Sequence, residues 1–278
     1  MIRSALLLGC LAAIGCASAP APAPPPAPAP APVRIPLVSS DGSDLVNPIE
    51  RLALLIHAQD VAAWRATDQA IEAGFDPAAN GVVGWLAVPE QGTSFMVRFV
   101  AERGAGPVSL LDVGLDVAVE SPGLVIDRPG GVALAPDEQS MWKARQLAVH
   151  TKFSACSDRY NSVVLREPGS ENWLVYLLAA SMNRELVIGG HHRFRMSPDG
   201  GTILEAKALS TSCMTIPYDP KAEMFYFTQM ASEEPLETSV LLSLQVDKPI
   251  LFMVPPDGAI WMARGGRLTD TGEKAGDL

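Results

Sequence analysis

The chain has 278 residues and a formal net charge of −10, with 31 acidic and 21 basic side chains. Binding to the phosphates of nucleic acids needs a basic face, so this balance argues against a nucleic-acid partner. Hydrophobic residues make up 48% of the chain, which is enough to give one large domain, or two small ones, a real core.

The first residues of the chain have the pattern of a lipoprotein-type signal peptide. Arg3 supplies a positive charge near the start, and residues 5–14 are apolar or small, a run too short to span a bilayer as a stop-transfer helix. The AIGC segment at residues 13–16 resembles a bacterial lipobox. The resemblance implies that residues 1–15 are removed and that Cys16 carries a diacylglycerol, which attaches the protein to a membrane.

Three other interpretations of this leader stay open. The LLGC segment at residues 7–10 also resembles a lipobox, but cleavage before Cys10 leaves an apolar run shorter than the roughly 7–15 residues of a typical leader. Cleavage after Ala19 by the general signal peptidase would give a soluble secreted protein, although Pro20 directly after the cut is unfavourable. In the third interpretation the leader stays uncut and acts as the anchor.

Residues 17–32 are almost entirely alanine and proline and carry no charge. Proline fixes φ and removes a backbone donor, so the segment favours extended polyproline II, about 3.1 Å per residue and roughly 50 Å in all. We interpret residues 16–36 as the lipid attachment and a tether, which either sets the distance from the membrane or has no length requirement. Ala17, rather than aspartate, after the lipidated cysteine favours a periplasm-facing location in the cell envelope, at the outer membrane rather than the inner.

The four cysteines indicate the redox compartment. Cys10 leaves with the leader and Cys16 is lipidated, so Cys156 and Cys213 remain in the body. An exported domain with one remaining pair most simply forms a disulfide, which would stabilise the fold by about 4 kcal/mol. The alternatives are two buried thiols or a reactive pair, but no Cys-x-x-Cys motif indicates a redox enzyme.

In the N-terminal half, residues 37–134, one helix precedes a group of strands. Asn47 is a good N-cap, Pro48 suits the first helical position, and the helical spacing of apolar residues continues to Ala73. Gly74 then ends the helix. Apolar runs and turn residues predict strands over 85–88, 95–101 and 108–119, and a loop over 122–131.

In the C-terminal half, residues 135–264, a second helix precedes more strands. Pro136 starts the helix, Asp137 and Glu138 follow where the helix dipole favours acidic groups, and the helix is predicted to end near Phe153. Strands are predicted over 162–165, 173–179, 185–188, 192–196, 203–209, 224–229, 240–246, 250–254 and 260–263. The polar, glycine-rich residues 265–278 are predicted to form a flexible tail.

The predicted fold class is α+β, with antiparallel, β-hairpin-rich sheet or sheets and two main helices after a signal peptide and an Ala/Pro-rich linker. No strand–helix–strand rhythm is present, which argues against a doubly wound parallel sheet. Both halves have the order helix, hairpin, further strands, and residues 85–101 are weakly similar to residues 163–180. Whether the halves are a duplication stays open.

The GGHHRFRM segment is the first candidate binding site. On a strand, neighbouring side chains point to opposite faces, so one face carries His191, Arg193 and Arg195. The opposite face carries residues of core type: His192, Phe194 and Met196. The cationic strip either receives an anionic group of an envelope polymer or lipid, or is a solvated face with an arginine paired to Glu205. Because His191 and His192 diverge, no metal site is predicted.

A second candidate is a polar cluster of His150, Asp158 and Tyr160. These residue types suit acid–base work, but the cluster also fits turn chemistry between a helix and a strand. The chain has no Gly-x-Ser-x-Gly elbow, no phosphate-binding loop and no His-Glu-x-x-His motif. We therefore predict no catalytic residue with a known signature and no cofactor.

These observations favour a non-catalytic cell-envelope lipoprotein, a binding or scaffolding module tethered to a bacterial membrane. Its expected partners are the membrane, through the lipid, and an envelope protein or an anionic envelope polymer. The alternative is a membrane-anchored envelope hydrolase with an unrecognised active site. A concave pocket with shifted pKa values would favour the hydrolase, whereas an exposed sheet edge or apolar patch would favour the binding module.

Overall fold

The structure, a computed structural model, describes residues 47–104, 106–180 and 185–277. The described parts contain three α-helices, one short 3₁₀-helix and fourteen strands, and the sheets are predominantly antiparallel. The predicted α+β class is therefore confirmed. The signal peptide, the lipid attachment at Cys16 and the Ala/Pro-rich tether lie outside the described residues.

Helix α1 spans Pro48–Glu72 and starts as the sequence predicts. The side chain of Asn47 accepts a hydrogen bond from the backbone N–H of Ile49 at 2.9 Å, which satisfies one of the free donors of the first turn. Gly74, with φ of +83°, follows the last turn in the left-handed region that favours glycine. The helix is continuous over 25 residues.

The first sheet follows α1 and has the strand order β1-β2-β3-β4. Its strands are β1 (Gly84–Pro89), β2 (Ser94–Arg103), β3 (Gly106–Asp116) and β4 (Leu124–Ala133). The hairpin β1–β2 is confirmed, but the loop predicted over 122–131 was wrong, because β4 occupies most of it. Pro129 is tolerated since β4 is an edge strand, and the register of β3 and β4 shifts where Gly130 and Gly131 adopt positive φ.

The second sheet has the order β5-β6-β8-β9 and follows helix α2 (Pro136–Val149). Its strands are β5 (Tyr160–Arg166), β6 (Trp173–Ala179), β8 (His192–Met196) and β9 (Ile203–Ala208). All seven residues of β6 are buried, because this sheet is covered on both faces. A separate pair, β7 (Glu185–Val187) and β10 (Thr215–Pro217), lies outside it.

The third sheet has the order β11-β12-β13-β14, with β11 parallel to β12. Its strands are β11 (Phe225–Thr228), β12 (Ile250–Val254), β13 (Ala259–Arg264) and β14 (Arg267–Lys274), and helix α3 (Glu237–Val246) precedes β12. The strand predicted over 240–246 was wrong, because it lies in α3. A short apolar run that is buried all round has no periodicity that separates helix from strand.

The flexible tail predicted over 265–278 also differs from the structure. Gly265 and Gly266, with φ of +54° and +80°, form the two-residue turn of a hairpin, and β14 pairs with β13. The polar residues of β14 suit an edge strand with one solvated face. The glycines therefore mark a turn rather than loose chain.

Three hydrophobic clusters form the core, and α1 contributes to two of them. Its C-terminal part places Ala58, Ala62, Ala66 and Ala70 against the first sheet, where small side chains allow a close approach. Its N-terminal part packs with α3, the third sheet and one face of the second sheet. The third cluster lies between α2 and the other face of the second sheet. Of the helices in the described ranges, none combines the length and hydropathy needed to cross a bilayer.

Candidate protein-binding sheet

The predicted disulfide is confirmed, since Cys156 and Cys213 are joined by an S–S bond of 2.03 Å. It links the connection before β5 to the connection after β9. A cavity of about 220 Å³ lies beside it and has both cysteines in its wall. The carboxylates Asp158 and Glu185 also line this cavity, and no basic side chain among the described residues does so.

The GGHHRFRM segment alternates as predicted, with His192, Phe194 and Met196 buried. Arg193 is 2.8 Å from the carboxylate of Glu237, and Arg195 is 2.8 Å from that of Glu167. Arg195 lies opposite Glu205 in the sheet register, but its ion pair is with Glu167. Both guanidinium groups of the strip are thus held by internal carboxylates. Binding of an anionic polymer by the strip stays a prediction.

His191 differs from its expected exposed position, because it is buried. Its Nδ1 accepts a hydrogen bond from the backbone N–H of Ala179 at 3.0 Å, and its Nε2 lies 3.3 Å from the carbonyl of Val187. Burial lowers the pKa of His191 to about 4. The imidazole is therefore neutral at pH 7 and adds no charge to the strip.

The polar cluster is not assembled into one site. His150 caps the end of α2, with its Nδ1 2.7 Å from the carbonyl of Gln146. The Tyr160 hydroxyl accepts a hydrogen bond from the backbone N–H of Cys156 at 2.8 Å, which is turn chemistry. Within the described residues, no hydrogen bond or ion pair joins His150, Asp158 and Tyr160. A catalytic role of these residues stays a prediction.

A network of buried charges, which no motif in the sequence indicates, lies where the first sheet meets α2. Asp112 is fully buried and accepts from Arg98 at 2.9 Å and from Arg128 at 2.7 Å. Arg98 also contacts Glu138, near the start of α2, at 2.6 Å. Since each charge has an opposite partner, the network fixes the sheet to the helix rather than offering a reactive group. Across the described ranges, no group of three or more His, Cys, Asp and Glu side chains is arranged to hold a metal ion.

One face of the third sheet belongs to the core, whereas on the opposite face Ile260 is buried, at 1% exposure, and its neighbours are half-buried or exposed. On β11, Phe225 and Phe227 are buried and pack with Ile250 and Phe252 of β12. Tyr226, between the two phenylalanines, is 54% exposed. Successive side chains of a strand point to opposite faces, so Tyr226 lies on the outer face of this sheet.

The outer face is rich in methionine and aromatic side chains. Tyr226 lies opposite Leu251, and Leu251 lies opposite Met262 of β13, so these three form a row across the sheet. Leu251, Met253 and Met262 are half-buried and belong to none of the three core clusters. Met224 and Met230, on either side of β11, are 52% and 58% exposed. We call this set the outer apolar face: Met224, Tyr226, Met230, Leu251, Met253 and Met262.

Strand β11 is also an open edge of the sheet. Among the described strands, only β12 pairs with it. The backbone N–H groups of Phe225 and Gln229 donate to Pro249 and Met253 on the β12 side, at 3.1 and 2.9 Å. In a parallel pair, alternate residues bond to one neighbour, so the backbone groups of Tyr226 and Thr228 are directed away from β12. An open edge of this kind is a template for another strand.

Acidic side chains surround the open edge. Glu223 precedes β11, and Glu233 and Glu234 lie in the connection to α3; all three are exposed. Lys221 is the one basic residue in the described stretch 219–237. The edge is therefore apolar along the strand and negatively charged at its flanks.

One signal in the sequence points to this surface. The segments MFYF (224–227), ILFMV (250–254) and IWMA (260–263) are apolar at consecutive positions, a pattern that predicts burial on both faces of a sheet. Among the described residues, one face is buried in the core and the other is buried at Ile260 but leaves Tyr226 exposed. These strands contain more apolar residues than the core buries, and the remaining ones form the outer apolar face. This can be recognised only when the sheet topology is known.

The comparisons with known proteins give no assignment. No protein-family model matches the chain, and no curated protein sequence is similar to it. The C-terminal domain of Bacillus megaterium YpeB is similar to 56% of this chain at 12% sequence identity, with a TM-score of 0.19. The chain spans 66% of that domain's length, just under two thirds. A TM-score this low does not establish a common fold.

Proposed function

We propose that this protein is a non-catalytic cell-envelope lipoprotein, a module that is tethered to a bacterial membrane through Cys16 and binds another envelope protein with its third sheet. The observation that carries the proposal is the outer apolar face beside the open edge of β11. Monomeric proteins rarely expose large contiguous apolar patches, and such patches mark interaction sites. Methionine side chains, which are flexible and polarizable, suit a surface that adapts to a partner.

An anchored hydrolase has less support in the geometry. His191 is buried and hydrogen-bonded at both ring nitrogens, and no hydrogen bond or ion pair of the described residues joins His150 to Asp158. The shifted pKa values of the protein have structural causes, burial and ion pairs, rather than a shared pocket. The surface features therefore favour binding over catalysis.

The anchor is tested by intact-mass analysis of the protein purified from envelopes. The expected mass is that of residues 16–278 with acyl groups on Cys16, and a Cys16→Ser variant is expected to keep its leader uncut and to carry no acyl group. An unmodified Cys16 in the wild-type protein would remove the lipoprotein part of the proposal. The two parts are independent, because the third sheet can bind a partner whichever leader is used.

The binding surface is tested by placing a photo-crosslinking amino acid at Tyr226 in cells. Leu204 on β9, 50% exposed, is a matched control position. The protein that crosslinks at position 226 is then purified, and its binding to the full chain is measured. We expect Tyr226→Lys to weaken this binding by at least about tenfold and Leu204→Lys to leave it unchanged. Equal crosslinking at both positions, or equal binding by both variants, would contradict the proposal.

A further inference from the structure

The backbone of β11 restricts the kind of partner that the third sheet can take. Tyr226 and Thr228 direct their N–H and C=O groups away from β12, and among the described strands none other pairs with β11. A lipid or a polysaccharide lacks donors and acceptors at the regular spacing of these groups. An extended polypeptide has that spacing, and strand addition to an open edge is a recurring mode of peptide recognition.

The side chains beside the edge favour apolar residues in such a strand. Tyr226 lies between Met224 and Met230, and all three side chains are more than half exposed. A strand paired with β11 would place every second side chain next to this part of the outer apolar face. β-branched or aromatic residues at those positions would make the most favourable cross-strand contacts.

The flanks of the edge favour basic residues at the ends of the strand. Exposed carboxylates lie on both sides of β11, at Glu223 before it and at Glu233 and Glu234 after it. Lys221 is the one basic residue in the described stretch 219–237, in a chain whose net charge is −10. Complementary charges fix the position of a partner and raise its rate of association.

From these three observations we infer that β11 binds an extended polypeptide segment as an added strand, and that the segment has alternating apolar residues with lysine or arginine at its flanks. This inference rests on the proposed function, and it names the chemical class of the partner. The segment completes the third sheet as a fifth strand. Its backbone bonds Tyr226 and Thr228, its apolar side chains cover Tyr226, and its basic ends face the three glutamates.

The inference is tested with labelled peptides and the full chain in detergent micelles. The probe is KKVTVYVKK, and the matched control is EEVTVYVEE. We expect the basic peptide to bind at least about tenfold more tightly at low salt, and the difference to shrink as salt screens the charges. The Glu233→Lys, Glu234→Lys variant is expected to reverse the order of the two peptides. Glu90→Lys with Glu120→Lys, which changes the same number of exposed carboxylates elsewhere, is expected to leave the order unchanged.

Strand addition itself is tested without altering the protein. Two versions of KKVTVYVKK are made. One has N-methyl groups on the odd-numbered residues of the peptide and the other on the even-numbered residues. Each version therefore loses the backbone N–H donors along one edge of the extended peptide. We expect one version to bind at least about tenfold more weakly and the other to bind like the parent peptide, because only one edge of the peptide faces β11. Equal effects of the two versions would overturn strand addition.

A proline at the open edge gives the complementary test. Thr228→Pro removes a donor that faces the partner, whereas Asp270→Pro lies on the opposite edge of the sheet, at β14, and is the matched control. Only Thr228→Pro is expected to weaken peptide binding. If the peptides bind no better to wild type than to Thr228→Pro, while the protein crosslinked at position 226 still binds, this inference fails and the proposed function stands. If position 226 captures no protein, the proposed function fails.

Discussion

The backbone N–H of Leu268 donates a hydrogen bond of 2.7 Å to the carboxylate of Glu50, and the two residues are 218 positions apart in the sequence. Glu50 lies in the first turn of α1 and is buried, and Leu268 lies on β14. Arg267 adds a contact of 3.3 Å to the other oxygen of the same carboxylate. The side chain of Glu50 thus connects the first turn of α1 to β14, the last strand.

Loss of this carboxylate is expected to destabilise the protein. Glu50→Ala leaves the N–H of Leu268 without its acceptor, and a hydrogen bond to a charged group contributes about 2 kcal/mol. Glu50→Gln keeps an acceptor oxygen, so we expect a loss of less than about half of that. Urea unfolding of the two variants measures both values, with the exposed Glu72→Ala as control. Equal losses of unfolding free energy for Glu50→Ala and Glu72→Ala would show that the hydrogen bond between Glu50 and Leu268 does not stabilise the protein.

The features that the sequence predicts best depend on residues close together in the chain or on residue counts. Asn47 caps α1 because its side chain reaches the next turn, and the alternation of residues 192–196 follows from the geometry of a single strand. The disulfide was predicted because Cys156 and Cys213 are the two cysteines outside the N-terminal region. None of these requires knowledge of which strands are neighbours.

The parts that the sequence does not predict depend on distant contacts. Residues 240–246 form a helix because α1 and the third sheet bury them, and an apolar run of that length fits either type of element. Arg195 pairs with Glu167, in the turn between β5 and β6, rather than with Glu205 opposite it, and the sequence does not show which turn lies beside Arg195. Tyr226 is exposed because no layer in the described ranges covers it, and no local pattern encodes this.

His57 on α1 is expected to make the protein sensitive to acid. Its side chain is 4% exposed, its Nδ1 has no hydrogen-bond partner among the described residues, and burial lowers its pKa from 6.5 to about 4. The unfolded state therefore takes up the proton first. This contribution to stability is present above pH 6.5 and is lost as the pH falls towards 4, by up to about 3 kcal/mol.

His57→Leu removes the titrating group and the unsatisfied nitrogen. We expect the variant to lose less stability than the wild type between pH 6.5 and 4, as measured by urea unfolding at a series of pH values. His191, whose pKa burial also lowers to about 4, remains in the variant, so part of the acid sensitivity persists. The same decline in both proteins would exclude His57 as a source.

Asp60, one turn further along α1, is expected to lower the stability of the protein as the pH rises, which is the opposite of the effect of His57. Burial raises its pKa from 3.8 to about 6, against a hydrogen bond from Asn161 that lowers it. The folded state therefore binds the proton more tightly than the unfolded state, and this contribution to stability is lost as the pH rises from 3.8 through 6. The loss amounts to up to about 3 kcal/mol.

Asp60→Asn imitates the protonated acid and keeps an oxygen that accepts from Asn161. The variant is expected to be more stable than the wild type above pH 6, and the difference is expected to vanish below pH 3.8. Unfolding curves at pH 8 and at low pH measure the two limits. A constant difference at all pH values would mean that the substitution acts through packing and not through the charge.

The buried network at Asp112 is expected to contribute far more than an ion pair of similar geometry on the surface. Asp112 is fully buried and accepts from Arg98, from Arg128 and from the hydroxyl of Ser109, the last at 2.6 Å. Asp112→Ala leaves these donors without their acceptor at a position that is buried from water. Removal of one partner of a buried pair costs about 3–5 kcal/mol, much of it from the group left behind.

The matched surface pair is Lys143 and Asp199, 3.1 Å apart with both side chains more than half exposed. Asp199→Ala is expected to destabilise the protein much less than Asp112→Ala, because water replaces the lost partner. Urea unfolding in low and high salt measures both variants, and salt is expected to reduce only the smaller effect. If Asp112→Ala unfolds no more readily than Asp199→Ala, the first sheet and α2 are held together by apolar packing alone, and the network is incidental to the fold.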